Sequence, residues 1–302
     1  MDGKSALRSL RILLNESSNS DFLDSRASYE YIWIAAKEFV DRSNCLTTTQ
    51  SITTVANQAQ YTLNADFMKM YLKNSGNNHY LKYNNGSADQ FILFQDKEDA
   101  IYQNSTASVE IPSKFYIEDD PNLDSRISST ATAAGASSGG VCTLTDTTAP
   151  FADVSAGDIV HNTTDGSDGY VVSKTSNSIL VTALFDGTNN DWTNTDAYII
   201  QPQGRLRIVF NPPPSTSGHI VTVYYIQKPA PVFSDYGVYR FSEQHMQAVI
   251  YYAAFLYKYR DRIPNFGDKF YLFFDSQVRK AANSLNQSFL RKGFGVNLRG
   301  RK

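Results

Sequence analysis

Apolar positions recur at three- and four-residue steps near both ends of the chain and at two-residue steps through its middle, so helices are expected at the ends and strands between them. Leu7, Leu10, Leu13 and Leu14 mark a short amphipathic helix over roughly Ser5 to Asn15, which ESSNS interrupts. A second helix is expected from about Asp21 to Arg42, with Tyr29, Trp33, Ala36 and Val40 on one face and Ser20 or Asp21 as its cap. Near the other end, Met246, Val249, Ile250, Ala253 and Tyr257 stack on one side of a helix that Ser242 can cap. Pro264 and Gly267 are read as ending it, and a last helix is expected over about Lys269 to Gln287, carrying Phe270, Phe274, Val278, Ala281 and Leu285 on one face.

Between these pairs the texture is β. Strands are expected near Ser51–Val55, Gln60–Leu63 and Met68–Leu72, and Asn85-Gly86 is a strong turn signal. The run Phe91 to Phe94 reads equally as a buried strand or the start of a helix, and Lys114 to Ile117 reads as extended. From Ile127 the composition changes: SSTATAAGASSGG has the small, polar character of a flexible lead-in. Short strands punctuated by DGSDG, NS and DGTNN then predict a small all-β module from Val141 to about Gln201. Two further strands, RLRIVF and HIVTVYYI, flank NPPPSTSG.

The expected fold class is α+β: a helical bundle of two N-terminal and two C-terminal helices with a small antiparallel β-sheet, plus an inserted all-β module. The expected domains are a core of residues 1–126 and 204–302, an inserted β-domain of residues 127–203, and a basic C-terminal tail of residues 288–302.

The helix around Phe241–Arg262 has a second apolar face, made by Ala248, Tyr251, Tyr252, Phe255 and Tyr259. Each large aromatic can bury about 150–250 Å², so this face needs cover, either from the chain's own bundle or from a neighbouring subunit. The C-terminal segment brings Phe289, Leu290, Phe294 and Leu298 together with Arg291, Lys292, Arg299, Arg301 and Lys302. This segment reads as a solvated end or as an arm that orders on a partner; the cations could touch DNA phosphates, but the apolar residues interleaved with them favour an acidic protein surface.

Signs of catalysis are sparse. HExxH, the GxxxxGK[ST] phosphate loop and GxGxxG are absent, and no cofactor is expected. Gly135 to Gly139 matches GxSxG, yet the entering strand and leaving helix that a nucleophile elbow requires are missing. The four histidines fall in separate segments, and Cys45 and Cys142 are too far apart in sequence for a metal motif. Asp119-Asp120 and Asp165 with Asp168 are the acidic pairs; the second reads as a turn with a calcium site as the alternative. Net charge is −2, which lacks the basic excess of a nucleic-acid grip but suits a wall past which DNA slides. No apolar run reaches the length of a membrane span, and the N-terminal run is too short and too charged for a signal peptide, so a soluble protein is expected.

The order of the pieces resembles the head-to-tail adaptor (connector) proteins of tailed bacteriophages. QAQYTL, the FNPPP…VTVYYIQKPAPV hairpin and the EQHMQAVIYYAAFLYKYR helix carry that resemblance, and GDIVHNTTDGSDGYVVSKTSNSILVTALF is similar to small β modules of phage structural proteins. The resemblance implies a structural virion protein of the neck, made in the host cytoplasm, without turnover chemistry. It implies a homo-oligomeric ring, commonly of about twelve copies, closed by head-to-tail contacts. The portal would lie above it, tail, nozzle or fibre proteins below, and genomic DNA would pass through its channel. The C-terminal tail would dock on the portal. Two other functions fit a phage structural setting: a fibre or baseplate component binding host glycans through Trp192 and Tyr198 of the insert, and a peptidoglycan hydrolase using a carboxylate pair.

Overall fold

The computed structural model describes residues 1–16, 24–71, 79–102, 107–120, 126–202, 205–260 and 264–290. Two helices open the chain, α1 (Gly3–Leu14) and α2 (Ser25–Ser43). Five strands follow: β1 (Thr47–Thr53), β2 (Gln60–Thr62), β3 (Phe67–Met70), β4 (Tyr80–Asn84) and β5 (Asp89–Phe94). After α3 (Lys97–Tyr102) come β6 (Lys114–Asp119), β7 (Ile127–Thr130), β8 (Cys142–Thr145), β9 (Ile159–Asn162), β10 (Ser167–Ser176), β11 (Ile179–Phe185) and β12 (Ala197–Gln201). The chain continues through β13 (Leu206–Asn211), β14 (Ile220–Gln227), α4 (Glu243–Arg260) and α5 (Pro264–Leu290).

This architecture corrects the expectation of a helical bundle carrying a small sheet. The molecule is mostly β, with two curled sheets, and its five described helices amount to 27% of the chain. The first sheet runs β1-β14-β4-β5-β6-β13-β2, with β3 also paired to β14. All its pairings are antiparallel except β5 with β6. The path curls until its first and last strands face each other. Gln50 on β1 then donates to the Thr62 carbonyl at 3.2 Å and accepts from the Asn64 amide at 2.9 Å, linking the two edges. Inside lie Leu81, Tyr83, Ile92, Phe115, Ile208, Phe210, Val221, Val223 and Tyr225. The sheet therefore buries its apolar side against itself. Period-two alternation specifies that one side is buried, but a flat and a curled sheet share the same alternation.

The second sheet, β7-β12-β9-β10-β11-β8, is a six-stranded half-barrel, antiparallel throughout. A bridge between Ala133, just beyond β7, and Thr145 of β8 links the segment leaving one edge strand to the other edge. Its core gathers Leu144, Phe151, Val160, Val171, Leu180, Trp192, Tyr198 and Ile200. One carboxylate, Asp146, is fully buried beside them. Burial pushes its pKa up, but it accepts from the Tyr198 hydroxyl at 2.6 Å, from Ser129 Oγ at 2.7 Å and from the Thr148 amide and hydroxyl. Those bonds outweigh the burial and hold it below the ordinary carboxylate value.

The lead-in read as flexible is ordered by pairing. β7 lies beside β12, the Gly135 amide donates to the Trp192 carbonyl at 2.7 Å, and Ser138 pairs with Val141 across a turn. A Cβ on Gly135 would fall 1.9 Å from the Thr143 carbonyl oxygen, so the small residues here serve close backbone approach.

The described residues divide into a β unit, which holds Leu46–Tyr239 and thus both sheets, and a helical unit built from Ser5–Cys45 and the residues from Arg240 onward. In the helical unit, Asp24 caps α2 by accepting from the Ala27 amide at 2.6 Å, and Asn44 ends it in the left-handed region at φ 56°. The expected caps Ser20 and Asp21 lie outside the described residues. Pro264 and Gly267 do not terminate a helix. Pro264 is the first residue of α5, where its missing N–H costs nothing, and Gly267 is a buried helical residue against Phe255 and Lys258.

Candidate functional site

The helical unit is organised by the two faces of α4. Met246, Val249, Ile250, Ala253 and Tyr257 are buried on the first, with Phe39 of α2 packed against Phe241 and His245 at 6.1 and 5.3 Å between ring centroids. Burial lowers the His245 pKa.

The second face meets α5 of the same chain. Tyr251 packs against Phe270 and Phe273 at 6.5 and 5.2 Å, and Tyr252 against Phe274 at 4.5 Å. Phe255 sits between Tyr259 and Tyr271 at 5.9 and 5.3 Å. Such offset and tilted ring pairs add about 0.5–1.5 kcal/mol each beyond their buried area. Arg42 of α2 closes one end of this seam. It donates to the Tyr271 hydroxyl at 3.0 Å and to Glu38 at 2.6 Å, with its guanidinium 5.6 Å from the Phe274 ring centroid. The Tyr271 bond, outweighing burial with the help of Glu38, raises its pKa further.

Cover by α5 is incomplete. Tyr259 remains 68% exposed, Leu272 66% and Phe273 55%. Tyr251, Tyr252 and Phe255 are half-buried. Leu272 and Phe273 fall off the Phe270–Phe274–Val278–Ala281 face by helical spacing, so the periodicity that buries that face leaves them outside it. Of the tail residues, Phe289 and Leu290 close α5, and Arg291, Lys292, Phe294, Leu298, Arg299, Arg301 and Lys302 lie outside the described residues.

A second apolar surface lies on the eight-stranded sheet. Phe91 is 62% exposed and meets Tyr80 edge-to-face at 5.0 Å, with Leu93 exposed on the same strand. The run Phe91 to Phe94 thus forms a strand of which only Ile92 is buried.

Titratable groups are dispersed. His161 pairs with Asp168 across β9 and β10, and His219 Nδ1 meets the Tyr83 hydroxyl at 2.7 Å. Asp165 accepts the Asn189 and Asn190 amides at 2.9 and 3.1 Å, so it and Asp168 are engaged separately. Asp120 accepts from Thr62 Oγ1 at 2.8 Å. Glu118 lies between Lys97 at 2.7 Å and Arg207 at 2.6 Å, a cross-strand arrangement that only the register of β6 and β13 reveals. No cluster of three or more potential metal ligands occurs among the described residues. Ser137, in the GxSxG string, is exposed beside a turn and has neither a strand entering nor a helix leaving. Trp192 and Tyr198 are fully buried, Trp192 donating from Nε1 to Thr182 Oγ1 at 2.9 Å, so neither presents a face for stacking on a sugar.

Comparison with protein-family models and with curated proteins gave no match. Among the described residues, no helix is long and apolar enough to cross a membrane.

Proposed function

We propose that this chain is a structural subunit of a tailed-phage neck, assembled as a ring beneath the portal, continuing the DNA channel and offering a platform to the tail. The observation that supports this reading is the exposure of Tyr259 at the end of α4 and of Leu272 and Phe273 on α5, which remain open although α5 partly covers the aromatic face. Large apolar side chains left exposed on a helical surface are candidates for a protein contact. A ring formed by rotation uses two different surfaces per subunit, and the Tyr80–Phe91–Leu93 strip supplies a second. The net charge of −2 gives DNA no strong purchase.

In this reading the basic tail is the arm that reaches the portal. Truncation after Gln287 removes Phe289, Leu290 and every cation beyond them. The truncated protein is expected to stay folded and to lose its attachment to filled heads, measured by co-sedimentation with tailless particles. Attachment at the full-length level would refute the role given to the tail.

A further inference from the structure

Within the β unit, a cleft of about 450 Å³ lies between the β2–β3 turn and the half-barrel, lined by Thr62, Asn64, Asp66, Ser155, Lys174 and Arg205 among others. Its volume is in the range of small-ligand sites, about 300–1,000 Å³. Two cations dominate it, and both are tied to one short loop. Lys174 Nζ donates to the carbonyls of Phe151 and Ala152 at 3.2 and 2.8 Å. Arg205 Nη2 donates to the Asp153 carbonyl and to Ser155 Oγ at 2.8 Å. Two like charges thereby line one cleft, and neither is paired with a carboxylate among the described residues. Asp66, the acid in the lining, is spent on other donors: the Tyr225 hydroxyl at 2.7 Å and Gln227 Nε2 at 2.6 Å.

The donor count shows what is left over. An ammonium has three N–H groups and a guanidinium five. Each side chain uses two, leaving one on Lys174 and, on Arg205, those of Nη1 and Nε. The carbonyl tethers fix both side chains before any ligand arrives, which reduces the ordering cost of binding. A concave wall focuses their combined field, and an oxyanion between them would form charge-assisted hydrogen bonds to both.

We propose that this cleft binds a small-molecule oxyanion, a phosphate or carboxylate group bridging Lys174 and Arg205. Inorganic phosphate and citrate serve as probes, each titrated into the full-length protein by calorimetry against sodium chloride of equal ionic strength. Saturable binding of at least one probe is expected, and the tighter of the two identifies the group. Lys174→Met and Arg205→Met should each weaken it about tenfold or more, and Lys174→Arg should retain it. In the wild-type protein, which removes any doubt about folding of the variants, backbone amide resonances of residues 62–66 and 154–156 should shift during the titration. Heats no greater than those of chloride, unmoved amides at these positions, or unchanged binding in a folded double variant would each overturn the site.

Discussion

Replacing Phe274 by Ala is expected to destabilise the helical unit by about 3–5 kcal/mol, the range for truncating a buried aromatic. Phe274 is fully buried, packs on Tyr252 at 4.5 Å and on Phe39 at 6.4 Å, and lies beneath the Arg42 guanidinium. Its removal empties the junction of α2, α4 and α5 and strands the Arg42–Tyr271 bond beside a cavity. The adjacent residue provides the contrast. Phe273 is more than half exposed, with Tyr251 as its ring partner, so Phe273→Ala should cost only about 0.5–1.5 kcal/mol, the value of one aromatic pair. Urea unfolding followed by far-UV circular dichroism checks both values. If the exposed Tyr259, Leu272 and Phe273 form an assembly surface, Phe273→Ala at unchanged fold should also reduce ring formation. Equal stability losses in the two variants would mean that the burial assigned here is wrong.

The half-barrel has a comparable centre. Trp192→Ala is expected to destabilise the β unit by about 3–5 kcal/mol. The indole is fully buried against Tyr198 at 6.0 Å, and its N–H satisfies the Thr182 hydroxyl, which Cys142 also approaches. Trp192→Phe should recover most of the loss, because it fills the space and leaves Thr182 its bond to the Cys142 carbonyl. Thermal unfolding of the two variants separates cavity from hydrogen bond. A Trp192→Ala protein as stable as the parent would contradict the packed core and reopen the residue for ligand contact.

What could be read from the sequence depended on how far the physical signal extends along the chain. The helix-long repeat of Met246, Val249, Ile250, Ala253 and Tyr257 identifies a buried face directly. Strands β13 and β14 also announce themselves by β-branched and aromatic alternation. Sheet curvature does not: residues such as Leu81, Tyr83 and Phe115 point into a closed interior through pairings that join distant segments. The Ser/Ala/Gly lead-in misled for a related reason. Small residues serve a mobile linker and a tight backbone approach equally, and only the 1.9 Å clash of a Cβ on Gly135 distinguishes them. The run Phe91 to Phe94, which reads equally as a buried strand or the start of a helix, is a strand with Phe91 and Phe94 exposed, because composition carries no record of which neighbours are present. The candidate contact surface follows the same divide. Tyr251, Tyr252, Phe255 and Tyr259 are visible as a helical stripe, and Leu272 and Phe273 as residues off the buried stripe of α5, whereas how much of each stays open depends on the contact of α5 with α4. Lys174 on β10 and Arg205 just before β13 meet one loop, a convergence with no spacing signal at all.

The central claim is most directly tested by imaging the neck of the assembled particle with this chain located and counted. The account predicts multiple symmetry-related copies between portal and tail, with Tyr259, Leu272 and Phe273 covered in the contact between copies. A single copy per particle, or none in the neck, would contradict it.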